Sequence, residues 1–109
     1  MKKFLAIYYS PAQDNAEMAN ITNEQRDAIM AEWMAWKNKV DHAIVDFGAP
    51  LINPTSSNNG KTWKTGNTEV GGYSILQAEN IDVLKTICSD HPHLQAPGAT
   101  LELQEMVDM

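Results

Sequence analysis

Two strand-like segments, each followed by a helical pattern of apolar residues, organise this sequence. The clearer one is Tyr73–Ala78, a short apolar run behind the pair Gly71-Gly72, typical of a buried strand. Asn80 is a favourable N-cap for the helix that follows, and Pro92 cannot continue that helix, so the polar segment Ser89–His93 ends it. The helix carries apolar residues at helical spacing: Ile81, Leu84, Ile87 and Cys88. This region therefore predicts a strand, a helix and a polar loop that holds two of the three histidines.

The first strand is predicted at Lys3–Tyr9, where both alternating sets of residues are largely apolar, so that both faces are expected to be covered. The polar segment Ser10–Ile21 predicts a loop. Thr22 and Gln25 then have the spacing of a capping box, which predicts that a helix begins there. Its apolar residues recur every three or four positions and predict one continuous buried stripe: Ile29, Trp33, Trp36 and Val40.

Three further strands complete the predicted order. Ala43–Ile52 contains Gly48 and Pro50, so this strand is expected to be bent, bulged or at a sheet edge. A turn-rich loop leads to a short strand at Lys61–Thr65, and the chain closes with a strand at Thr100–Val107.

This order predicts a single α+β domain over residues 1–109, with a ferredoxin-like β-α-β-β-α-β plan, an antiparallel sheet and an extra β-hairpin arm. Two helices cover only one face of a four-stranded sheet. The other face would expose apolar side chains, at a cost of about 25 cal/mol per Å². We therefore expect a homodimer with the sheets face to face, enclosing a space for a small organic molecule.

Composition narrows the classes of partner. Eight Lys and Arg against fourteen Asp and Glu give a formal net charge of -6, with no basic cluster for a nucleic acid. The apolar run after Met1 stops at Tyr9, too short for a signal peptide, and no segment is long enough to span a bilayer. These features favour a cytoplasmic protein that binds neither membrane nor nucleic acid. The sequence indicates no cofactor, and the single cysteine, Cys88, is interpreted as a buried core residue.

Several short motifs together resemble the YCII-related, or DGPF-domain, family. They are Lys3–Tyr8, Phe47–Leu51, Gly71–Ala78 with the helix after it, and His91–Leu94 ahead of a Leu-Glu-Leu strand. The resemblance covers nearly the whole chain and implies a dimeric α/β barrel, related in fold to muconolactone isomerase and small monooxygenases. Two features depart from the family: Thr65–Val70 replaces the Asp-Gly-Pro-Phe run, and the first helix has no early histidine.

The candidate chemistry centres on His93, since an imidazole titrates near neutral pH and an acid, Asp46 or Asp90, would orient it as a general acid or base. Other residues are expected to bind a ligand around the same pocket: Tyr8, Trp63, Tyr73 and His91. Asp90, His91 and His93 come from one loop, and no distant ligand accompanies them. A metal-dependent enzyme therefore stays only a third hypothesis, and we predict no metal site. The leading hypothesis is a small-molecule-binding homodimer that catalyses isomerisation, elimination or cofactor-free oxidation. The alternative is a non-catalytic binding or assembly module, and the sequence does not decide whether the chain is an enzyme.

Overall fold

Strands and helices follow one another in the predicted β-α-β-β-α-β order, with a small hairpin inserted before the third long strand. The computed structural model describes residues 1–109. Its elements are β1 (Lys2–Tyr9), α1 (Ala12–Glu17), α2 (Asn23–Lys39), β2 (Ile44–Pro50), β3 (Thr55–Ser56), β4 (Lys64–Thr65), β5 (Val70–Ala78), α3 (Ile81–Cys88) and β6 (Thr100–Glu105). Single turns of 3-10 helix occupy Met18–Asn20, Asp41–Ala43 and Pro92–Gln95. The predicted strands at residues 43–52, 61–65 and 100–107 are thus each shorter than expected.

The main sheet has the strand order β2-β5-β1-β6, and all its pairs are antiparallel. The two central strands, β1 and β5, pair along almost their whole length, from Lys2 opposite Ala78 to Tyr9 opposite Val70. The crossover from β1 through α2 to β2 thus leaves β5 between its two strands, and the crossover from β5 through α3 to β6 leaves β1 between its two. This interleaving is the ferredoxin-like arrangement. The two-residue strands β3 and β4 pair separately and form the predicted hairpin arm.

Both predicted helix starts are confirmed. Thr22 accepts a hydrogen bond from the backbone N–H of Gln25, and the Gln25 side chain accepts one from Thr22 in return, which completes the capping box of α2. Asn80 caps α3 by accepting from the N–H of Val83 at 2.9 Å.

The core lies between the sheet and one face of α2 and α3. Alternate residues of β1 and β5 face the helices and are buried: Phe4, Ala6, Tyr8, Ser74, Leu76 and Ala78. The helices contribute Trp36 and Val40 from α2 and Leu84 and Cys88 from α3. Burial raises the pKa of the Cys88 thiol to about 11, so Cys88 is a protonated core residue, as predicted.

The opposite face of the sheet has no helix over it. The alternate residues of the central strands, Leu5, Ile7, Tyr73 and Ile75, remain partly exposed there. Within one chain, β1 is therefore covered on one side only. No helix of the structure combines the length and apolar character needed to cross a membrane.

Two predictions for the first half of the chain were wrong. Residues 10–21 are not simply a loop, because α1 and a 3-10 turn occupy most of them. None of these helical residues is buried, so no apolar periodicity marks them in the sequence. Instead, α1 is held by Asn15, whose Nδ2 donates at 2.8 Å to the carbonyl of Thr68, in the segment that leads into β5.

The stripe predicted along α2 is buried only in its C-terminal half. Trp36 and Val40 are buried, whereas Ile29, Met30 and Met34 are 36%, 42% and 38% exposed. The N-terminal half of α2 does not close on the sheet, because a cavity lies between them.

Candidate functional site

The cavity has a volume of about 530 Å³ and lies between the sheet, α1, α2 and the segment around the last 3-10 turn. That volume is within the range of small-molecule sites. Its walls are largely apolar and aromatic, with contributions from Tyr8, Met18, Ile29, Met30, Trp33 and Phe47. It opens on the helix-covered side of the sheet, whereas the sequence led us to expect a ligand space on the dimer side. The exposure of Ile29 and Met30 is thus explained by their place in the cavity wall, whereas the exposed Met34 does not line the cavity.

Two glycines allow the strands in the cavity wall to approach each other closely. Gly48 in β2 has φ +79°, and a Cβ there would stand 1.8 Å from the carbonyl oxygen of Tyr73, so only glycine fits the bulge. Asp46 supports this bulge, because its Oδ1 accepts from the N–H of Gly48 at 2.8 Å. At Gly72, a Cβ would meet the carbonyl oxygen of Ala49 at 3.1 Å and the Tyr8 ring at 3.6 Å.

His93 lies in the cavity wall, held there by the ends of two strands. Its Nε2 lies 2.9 Å from the carbonyl oxygen of Tyr9 and 3.1 Å from that of Thr100. A carbonyl only accepts, so Nε2 must carry a hydrogen and donate it to both. In the neutral ring, Nδ1 is then an unprotonated acceptor. No protein group donates to Nδ1 of His93, and Nδ1 is not among the buried unpartnered atoms, so this nitrogen is an accessible base.

His91 stands behind the wall and is 1% exposed. Its Nδ1 accepts from the backbone N–H of His93 at 3.0 Å, which places the ring proton on Nε2, 3.2 Å from Tyr8 Oη. Burial is the main reason that the pKa of His91 falls from 6.5 to about 4, and the nearby His93 lowers it further. His91 is therefore neutral near pH 7, with a defined tautomer.

The hydrogen bonds from His91 continue in one direction across the sheet. Tyr8 accepts from His91 and donates to Ser74 Oγ at 2.8 Å, and Ser74 donates to the carbonyl oxygen of Phe47 at 2.6 Å. Burial raises the pKa of Tyr8 to about 12, against the smaller lowering effect of the Ser74 bond. The Tyr8 hydroxyl thus stays protonated, and both of its hydrogen bonds are made to groups of the protein.

Aromatic rings pack edge-on around Trp33. The centre of the Trp33 ring lies 4.9 Å from that of Tyr8, 6.2 Å from that of Phe47 and 4.6 Å from that of the buried His91. The angles between the ring planes are 77°, 65° and 83°. Such edge-to-face contacts fix the ring orientations and leave the half-exposed face of Trp33 available to the cavity. Trp33 is thus both a core contact and a wall of the site, beyond the core role expected of it.

The structure brings together only some of the predicted site residues. Tyr8, Tyr73 and His93 line the cavity. The alternation along β5 puts the Tyr73 side chain on the open face of the sheet, so Tyr73 contributes backbone to the wall. His91 does not line the cavity, but its Nε2 forms a hydrogen bond with the hydroxyl of Tyr8. Trp63 does not line it either, because it is 63% exposed and lies near the hairpin arm.

The structure does not place Asp46 or Asp90 beside the His93 ring. Asp46 is exposed on β2 and outside the cavity, and Asp90 forms an ion pair with Lys39 at the end of α2. Two backbone carbonyls orient His93 instead, an arrangement that residue types alone do not reveal. The carboxylates that do line the cavity are Asp14 and Glu32, which no motif in the sequence marks as site residues. No three His, Cys, Asp or Glu side chains are grouped as a metal site would require.

The sequence matches no family model and no curated protein. Among solved structures, the chain is similar to 5-chloro-2-hydroxyhydroquinone dehydrochlorinase from Burkholderia phenoliruptrix AC1100, in complex with 2,5-dihydroxybenzoquinone. The similarity has a TM-score of 0.53 and covers 92% of this chain and 90% of that chain, at 16% sequence identity. At this identity the comparison shows a common fold, and it confirms the predicted ferredoxin-like α+β class.

Proposed function

We propose that the chain binds a small, planar organic molecule in the cavity and that His93 is the general base that removes a proton from it. The observation that carries the proposal is the place of His93 in the wall of an apolar cavity, with its ring held by two carbonyls and its Nδ1 accessible. When Nδ1 takes a proton, the ring becomes positive and its Nε2–H bonds to the carbonyls of Tyr9 and Thr100 become charge-assisted.

Proton removal from carbon is the first step common to the candidate isomerase, lyase and cofactor-free oxidase activities. The fold is shared with a dehydrochlorinase, which supports a lyase or isomerase among these. His93 is also the group that would return the proton, because the hydroxyl of Tyr8 is engaged by Ser74 and His91. In this proposal Asp46 acts indirectly, by holding the bulge at Gly48 that shapes the wall.

The proposal includes membership of the YCII-related family and a homodimer. The family is supported by the short motifs and by the shared fold. The dimer is supported by the uncovered sheet face, where Leu5, Ile7 and Ile75 stay partly exposed in the single chain. Burying that face against a second copy would remove this apolar surface from water.

Hydrogen–deuterium exchange of 2-tetralone tests the base directly, because this neutral aromatic ketone has acidic C–H groups next to its carbonyl. We expect the protein to accelerate exchange in D2O, and His93→Gln to reduce the catalysed rate by about 100-fold or more, as removal of a general base does. His42→Gln is the matched control, since His42 is exposed and outside the cavity. Equal rates for wild type and His93→Gln would refute the role of His93.

A second candidate function is binding without catalysis. It is favoured by the engagement of the Tyr8 hydroxyl within the protein, because a group held in this way is not free to donate a proton to a ligand. Saturation-transfer NMR separates the two functions. Binding of 2-tetralone to the wild-type protein without accelerated exchange would select the binding module over the enzyme.

A further inference from the structure

The formally charged side chains that line the cavity are all negative. Two carboxylates, those of Asp14 and Glu32, belong to the lining, and no Lys or Arg does. Neither carboxylate forms a salt bridge, since the ion pairs of the chain are Lys2–Glu105, Lys39–Asp90 and Lys85–Asp82. The chain as a whole carries a formal net charge of -6, so its long-range field has the same sign.

The apolar part of the wall is aromatic. Trp33 and Phe47 line the cavity with their rings 6.2 Å apart and at 65° to each other, next to Tyr8. The faces of such rings carry partial negative charge and attract a cation. Lys37 illustrates this within the chain, because its Nζ lies 5.4 Å from the centre of the Phe47 ring without itself lining the cavity.

His93 adds an acceptor and no positive charge in its neutral form. Its Nε2–H is used by the carbonyls of Tyr9 and Thr100, so the group left for a ligand is the lone pair of Nδ1. A carboxylate or phosphate in this cavity would meet lone pairs, ring faces and two carboxylates, with no cationic side chain to balance its charge. An ammonium group would interact favourably with the lone pair of His93, with the ring faces and with the two carboxylates.

From this arrangement we infer that the cavity selects an amine-bearing aromatic cation over a neutral or anionic compound of the same shape. This inference rests on the proposed function, because it names the ligand class of the same cavity. The aromatic part of the ligand packs against Trp33 and Phe47, and the ammonium group lies towards Asp14 and Glu32. The dihydroxyquinone bound to the structural neighbour is an acidic compound, so this chain is expected to differ from that protein in its ligand.

Three isosteric probes test the charge preference: 2-phenylethylamine, 2-phenylethanol and phenylacetate. We expect the amine to bind at least about fivefold tighter than the alcohol, as one exposed ion pair and one cation–π contact provide. Phenylacetate should bind weakest. Affinities come from calorimetry, and binding in the cavity is verified by a shift of the Trp33 indole N–H resonance. The preference should shrink as salt is raised to about 0.5 M, since exposed charges are screened.

A matched pair of double variants locates the effect. Asp14→Asn with Glu32→Gln removes the cavity carboxylates and should bring the amine and the alcohol to equal affinity. Glu24→Gln with Asp27→Asn removes the same charge from residues of α2 outside the cavity and should leave the preference intact. All four side chains are exposed, so these variants are expected to fold.

The outcomes separate this inference from the proposed function. If the alcohol binds as tightly as the amine, or phenylacetate binds tighter, the cation preference is refuted while small-molecule binding in the cavity stands. If the preference persists without Asp14 and Glu32, their part in it is refuted. If none of the probes shifts the Trp33 resonance at about millimolar concentration, aromatic binding itself fails and the proposed function falls with it.

Discussion

Replacing Tyr8 by phenylalanine tests the buried hydrogen bonds that support the cavity wall. The change removes one oxygen and leaves the ring, but two partners lose their bonds: the hydroxyl of Ser74, 2.8 Å away, and Nε2 of His91, 3.2 Å away. Ser74 keeps its bond to the Phe47 carbonyl. His91 is 1% exposed, so its Nε2–H would be left without water or protein as acceptor.

The expected loss follows from these two effects. The Tyr8–Ser74 bond contributes about 1 kcal/mol net, and an unsatisfied buried donor costs about 1–3 kcal/mol more. We therefore expect Tyr8→Phe to lower the free energy of unfolding by about 2–4 kcal/mol, a large part of the total for a small domain. Urea unfolding followed by circular dichroism measures this, at one fixed protein concentration because association would add to stability.

Tyr9→Phe is the matched control. The Tyr9 hydroxyl donates to Glu102 at 3.1 Å, but on the exposed face, so its loss should change stability by no more than about 0.5 kcal/mol. If Tyr8→Phe costs no more than Tyr9→Phe, the hydrogen bonds from His91 through Tyr8 to Ser74 do not stabilise the site as argued.

Three further predictions concern other parts of the fold. The pKa of His91 falls from 6.5 to about 4 on folding, so the unfolded state takes up a proton at a higher pH than the folded state does. The free energy of unfolding should therefore fall by about 3 kcal/mol as the pH drops from above 6.5 to about 4. Urea unfolding at several pH values measures this, and His91→Asn should flatten the profile where His42→Asn does not. Gly48→Ala should destabilise far more than Gly60→Ala in the same assay, because both glycines have positive φ but only Gly48 has a carbonyl 1.8 Å from the new Cβ; equal losses would contradict this. Light scattering should give twice 12.1 kDa, and Ile7→Lys on the open sheet face, but not Ala31→Lys on α2, should give a monomer.

Most of the fold was predictable because its elements have strong local signals. The capping box at Thr22, the N-cap at Asn80 and the alternation in β1 and β5 each specify an element boundary or a buried face with few residues. The bulge in β2 was likewise indicated by Gly48. By contrast, α1 buries none of its residues and is held by a side-chain bond from Asn15 to a distant carbonyl, which leaves no periodic pattern to detect.

The site was less predictable than the fold, because it depends on tertiary packing and on backbone groups that leave no pattern in the sequence. Helical periodicity shows that Ile29 and Trp36 share a face of α2. It does not show that Trp36 packs in the core while Ile29 is separated from the sheet by the cavity. His93 could be selected by its residue type, whereas its partners are backbone carbonyls, which every residue has. The cavity carboxylates Asp14 and Glu32 look like ordinary surface acids in the sequence, and only the packing of α1 and α2 brings them to one cavity.

The most direct test of the proposed base is to determine which ring nitrogen of His93 carries the proton. Long-range proton–nitrogen NMR on uniformly labelled protein at pH 8 distinguishes Nε2–H from Nδ1–H in a neutral imidazole. The structure predicts the Nε2–H form for His93, with His91 in the same tautomer and exposed His42 as a reference for an unrestrained ring. Added 2-tetralone should then shift the Nδ1 resonance of His93 and leave that of His42 in place. A proton on Nδ1 of His93 would mean that no base faces the cavity, and it would contradict the account.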